Sequence, residues 1–159
     1  MKLTDQVINL EFAKQLKELG MEQKSIFVWE YLDENAYGVK YYPYSIVPGV
    51  LNNIQLYSAF TASELMDMLP LSVDIKTNEP FNHFRFNMSM FTLVDKVGEN
   101  GELTLSRNYA INYHCDTYFA EDNYFNTRQL FEHNIFDTNL ANALAKTLIK
   151  IFEEGYMES

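Results

Sequence analysis

Apolar residues recur every three to four positions near both ends of the chain and alternate with polar ones between. Phe12, Ala13, Leu16 and Leu19 fall on one helical face, with Lys14, Lys17 and Glu18 turned away. This spacing predicts a helix from about Leu10 to Leu19, with Asn9 accepting from a free first-turn amide. Gly20 supplies the left-handed residue that ends it, and Met21 can fold back on Leu16. Near the other end, Ala141, Leu144, Ala145, Leu148, Ile151 and Phe152 predict a helix from Asn139 to Glu154. Thr138 is its expected cap and Gly155 its stop. In the middle, Thr61-Ala62-Ser63-Glu64 is a capping box. It opens a short helix, Ala62 to Leu69, whose buried edge is Leu65, Met68 and Leu69 and which Pro70 stops.

Strand signals fall in two pairs. Ser25 to Leu32 is β-branched and aromatic, Asp33-Glu34-Asn35-Ala36 reads as a turn, and Tyr37 to Tyr42 returns. Pro43 ends that return because it has no ladder donor. The second pair starts at His83 and runs to about Val94, with Phe84, Phe86, Met88 and Met90 on one face. The phase slips at Met90-Phe91, which predicts a bulge there. Gly98-Glu99-Asn100-Gly101 makes the turn, and Glu102 to about His114 returns with Leu103, Leu105, Tyr109, Ile111 and Tyr113 in phase. Ser45 to Gln55 follows no template beyond a turn at Pro48-Gly49. Asp116 to Asp137 has no clean period, and a short helix is expected around Thr127 to His133. The order is α-β-β-α-β-β-α. Hairpins exclude an all-parallel sheet. The expected fold is therefore α+β: an antiparallel sheet from two hairpins, with helices packed mainly on one face, in a single domain spanning residues 1–159.

Composition narrows the function classes. The 159 residues carry 22 acidic and 12 basic side chains, a net charge of −10. The basic residues are scattered, so direct nucleic-acid binding is not expected. Anionic membrane surfaces are disfavoured by the same charge. The longest uncharged run, Tyr41 to Ser63, contains Pro43, Pro48 and Gly49 and is no membrane span. The single cysteine, Cys115, suits a reducing compartment, and the N-terminus leads into a charged amphipathic stretch, so a cytoplasmic location is expected.

The segment Tyr57-Ser58-Ala59-Phe60-Thr61-Ala62-Ser63-Glu64-Leu65, closing with Met68-Leu69-Pro70, resembles a recurrent stretch of small phage- and prophage-type bacterial proteins. Those proteins also show a first helix ending like Lys17-Glu18-Leu19-Gly20. Their last helix is alanine-spaced like Ala141, Ala143 and Ala145-Lys146. The matching positions are capping and core residues. The resemblance implies a shared fold and a mobile-element origin, and it brings no catalytic residue with it.

Candidate chemistry is sparse. In His114-Cys115-Asp116 a strand points His114 and Asp116 to one face and Cys115 to the other. His114 oriented by Asp116 is the one set that suits a small hydrolase-like enzyme, though Cys115 then faces away from its base. A metal site needs His83, His114 and His133 to converge with a carboxylate such as Asp116, Glu121 or Asp122. Their spacings of 31 and 19 match no compact zinc pattern, so neither metal nor cofactor is expected. Adjacent acids at Glu121-Asp122 and Glu153-Glu154 read as solvated surface. No glycine arrangement spells a phosphate-binding loop.

The aromatic content, 15%, changes the picture most. Trp29, Tyr31, Tyr37, Tyr41, Tyr42 and Tyr44 crowd into the first hairpin, where a small domain has difficulty burying aromatics on both sides. Tyr and Trp give large contact area at small entropic cost. The expected function is thus a non-enzymatic protein-interaction domain, binding a protein partner or a second copy through this hairpin. The alternatives are the His114/Asp116 enzyme and an acidic inhibitor of a host nucleic-acid enzyme.

Overall fold

A computed structural model describes residues 2–33, 36–41, 56–75, 83–97, 100–119 and 124–157. The chain forms two compact units, one of residues Met1–Leu69 with Asn139–Ser159, the other Pro70–Thr138. Tyr42, Tyr44, the Ser45–Gln55 stretch, the tips of both hairpin turns and Glu121-Asp122 lie outside the described residues.

The first unit holds α1 (Leu10–Glu18), β1 (Phe27–Asp33), β2 (Ala36–Tyr41), β3 (Tyr57–Ser58), α2 (Ala62–Met68) and α3 (Leu140–Glu153). Helices α1 and α2 start where the sequence places caps. Asn9 Oδ1 accepts from Phe12 N at 2.9 Å. Gly20 takes φ 86° and Met21 N reaches back to Leu16 O at 2.9 Å. At α2 the box closes both ways: Thr61 N donates to Glu64 Oε2 at 2.7 Å and Glu64 N to Thr61 Oγ1 at 3.3 Å. The cap of α3 is Asn139, one residue past the expected Thr138. Its Oδ1 accepts from Asn142 N, while its Nδ2 donates to the carbonyls of Asp5 and Val7. Asparagine fills both roles because its amide has an acceptor and two donors.

Helix α3 packs against α1 and α2. Leu16, Phe60, Leu65, Leu144, Leu148 and Ile151 are fully buried. The first sheet, in order β2-β1-β3, is antiparallel. No helix among the described residues is long and apolar enough to cross a membrane.

The second unit holds β4 (Ser72–Asp74), β5 (His83–Val97), β6 (Leu103–Phe119), β7 (Tyr124–Gln129) and β8 (Ile135–Asp137). Its sheet runs β4-β5-β6-β7, with β8 also on β6, all antiparallel. The fold is α+β and antiparallel as expected, but the two hairpins belong to separate sheets. Helix α3 meets α1 and α2, α1 also meets β3, and the long hairpin has no helix in its own unit among the described residues.

Three local expectations change. Pairing is regular through Met90↔Tyr109 and Phe91↔Asn108, and the register shift comes at Val94/Lys96 instead. Strand β6 continues to Phe119. Thr127 to His133 is not a helix, since Tyr124–Gln129 pairs with β6 as β7 and only a turn separates it from β8. That turn is held by Asn112, which is buried. Its Oδ1 accepts from Tyr113 N at 2.8 Å and Phe131 N at 3.2 Å. Its Nδ2 donates to Gln129 Oε1, Phe131 O and Asn134 Oδ1. Beside it Tyr113, fully buried, lies edge-on to Phe86 and Phe131 and donates its O–H to Pro70 O at 2.7 Å. Burial pushes its phenol pKa up from the ordinary tyrosine value.

Candidate functional site

The register of the first sheet sorts the aromatic residues. Phe27 lies opposite Tyr41, Trp29 opposite both Val39 and Tyr57, and Tyr31 opposite Tyr37. Directly opposed residues of an antiparallel pair share a face, and successive residues alternate. Phe27, Trp29, Tyr37, Val39, Tyr41 and Tyr57 therefore lie on one side. Val28 and Ser58 lie on the other and are fully buried. Among the described side chains the aromatics are one-sided, not spread over both sides as their density along the chain suggests.

None of the six is fully buried, and Tyr41 is 56% exposed. The Phe27 and Tyr41 rings meet at 5.4 Å, and Tyr37 and Tyr57 at 6.2 Å. Helix α1 rims the face at one end. Lys14 Nζ stands 5.2 Å from the Tyr37 ring centre and 5.6 Å from that of Tyr57. Lys17 Nζ lies 5.0 Å from Tyr57 and donates to Leu56 O. Such cation–π contacts fix ring positions at small cost. Trp29 Nε1 donates to Ile8 O at 2.9 Å, which fixes the indole orientation.

A buried polar layer holds this sheet from behind. Gln23 spans Met21 O and Ser58 N. Ser25 Oγ lies within hydrogen-bond reach of Ala59 O and Glu64 Oε2 while accepting from Phe27 N. Glu64 thus ties α2 to the base of β1. A depression of about 350 Å³ lined by Lys24, Glu64, Asp67 and Met68 lies here, but the Glu64 carboxylate at its wall is already bonded to Thr61 and Ser25.

The other sequence candidates are dispersed. His114 is half-buried, level with Arg85 and Gln129 on neighbouring strands. Cys115 is buried and, as strand alternation requires, turned the other way. Asp116 pairs with Thr127 through the backbone, and its side chain lies outside the description. His83 Nδ1 sits 2.7 Å from Asp74 Oδ1, both exposed, and His133 is exposed on the turn after β7. Among the described residues no three His, Cys, Asp or Glu side chains gather as a metal site needs. The His83–Asp74 pair escaped sequence reasoning because it depends on the pairing of β4 with β5. The acidic end of α3 has a local explanation: Lys150 lies 3.5 Å from Glu154, one turn on. Glu154 in turn helps hold the Tyr156 pKa above the ordinary tyrosine value, with burial the larger cause.

No family model, curated protein or solved structure matches the chain.

Proposed function

We propose that the protein acts by binding another protein on the outer aromatic face of β1 and β2, not by catalysing a reaction. One observation supports this most: the register sets Phe27, Trp29, Tyr37, Val39, Tyr41 and Tyr57 on one side of a sheet, all at least partly exposed, while Val28 and Ser58 on the reverse side are fully buried. Rings held by neighbours lose little freedom on contact, so their area is available for association. The Trp29 bond to Ile8 and the lysines over Tyr37 and Tyr57 supply that rigidity.

Affinity capture from a native lysate tests this, with the wild-type chain beside Tyr41→Ser and the double variant Tyr41→Ser/Tyr37→Ser. A protein held by the wild type should be lost from both variants, with their melting temperatures staying close to that of the wild type. Identical retained proteins on all three chains would remove the aromatic face as the binding surface.

A further inference from the structure

Among the described residues, strand β5 is an edge strand over most of its length. Strand β4 covers it only from His83 to Arg85, and Phe86 N donates outward to Leu71 O at 3.0 Å. The pairing with β6 is regular up to Val94, so residues of the same parity as Phe86 also turn their backbone N–H and C=O outward. These are Met88, Met90 and Thr92, and among the described residues no strand pairs with them. Proteins blunt such edges with charges, proline or bulges. The run from Asn87 to Val94 has neither charge nor proline, and the register shift comes only after it.

The faces of this edge are apolar. Met88 is 41% and Met90 62% exposed on one side, and Leu93 is exposed on the other. Charge points to the occupant. Residues 83–108 contain three basic side chains (Arg85, Lys96, Arg107) and three acidic ones (Asp95, Glu99, Glu102). This stretch, the free end of the hairpin, is thus neutral in a chain of net charge −10. It is a place where two copies can meet without the repulsion that the rest of the chain imposes.

We propose that two copies of the chain pair through β5, antiparallel about a twofold axis near Met90, to make a continuous β6-β5-β5-β6 sheet. The twofold places each Met90 opposite its counterpart. An edge paired with itself is closed, so the assembly stops at the dimer.

Sedimentation equilibrium of the full chain tests this, with wild type, Met90→Lys and Tyr41→Ser compared. The wild type should be a dimer, and Met90→Lys should weaken it by about a hundredfold or more, since two like charges are brought face to face. Tyr41→Ser should leave the dimer intact, which separates this interface from the aromatic face. As a second measurement, Met90→Cys should give a covalent dimer under mild oxidation, while the wild type with its buried Cys115 should not. A monomeric wild type, a dimer insensitive to Met90→Lys, a dimer lost with Tyr41→Ser, or a Met90→Cys chain that fails to cross-link would each overturn the proposal.

Discussion

Among the described residues, the helical unit hides most of its apolar side chains, whereas the stranded unit displays more of them. The large exposed hydrophobics described are Ile26, Tyr41 and Met66 in the first and Leu71, Met88, Met90, Leu93, Leu105 and Phe136 in the second. The difference follows from geometry. A helix satisfies its backbone internally and presents one stripe, so three helices can cover one another. A two-stranded ribbon has two faces and two edges, and it is at best marginally stable without a further layer. Beyond Tyr109, where β8 stops, the long hairpin is such a ribbon among the described residues. The same chain thus contains a unit with a buried helical core and a ribbon with exposed apolar side chains.

The sharpest way to break that contrast is Leu144→Ala. Leu144 is fully buried in the helical core, so its truncation should cost about 2–5 kcal/mol in urea unfolding. A loss below about half a kcal/mol would mean that this core is loosely packed after all. Next in size is Asn112→Ala in the stranded unit. It leaves buried amides of Tyr113 and Phe131 without their side-chain acceptor and should cost about 1–3 kcal/mol. Hydrogen exchange should quicken at 130–134 and stay unchanged in α3; slowed or uniform exchange would show that the turn is held by something else. The smallest effect belongs to Leu105→Ala, exposed on the ribbon, which should shift stability by no more than about half a kcal/mol. A larger loss would show that the ribbon contributes to a core.

What the sequence made legible was local. The caps at Asn9 and Thr61, the glycine stops at Gly20 and Gly155, and both hairpins rest on interactions within a few residues. Strand β7 was not legible because its polar residues Thr127, Arg128 and Gln129 are all exposed, leaving no apolar side to create an alternation. Strands β3, β4 and β8, of two or three residues, are too short to show a period. The aromatic site was half legible: crowding marked the hairpin, but one-sidedness depends on the register Tyr31↔Tyr37, which only the pairing sets. The separation of the two sheets was hidden for the same reason, since no local pattern says which element a helical stripe will meet.

The helical unit is assembled from two stretches of chain far apart in synthesis order. Asn139 and Asn142 clip the returning segment to the backbone of Asp5, Val7 and Asn9, and α3 then supplies Leu144, Leu148 and Ile151 to the interior. On the ribosome α1 and α2 emerge before α3 and lack this packing partner until it has been made. The intervening stranded segment, already released, has time to form its own ladder while the remainder waits.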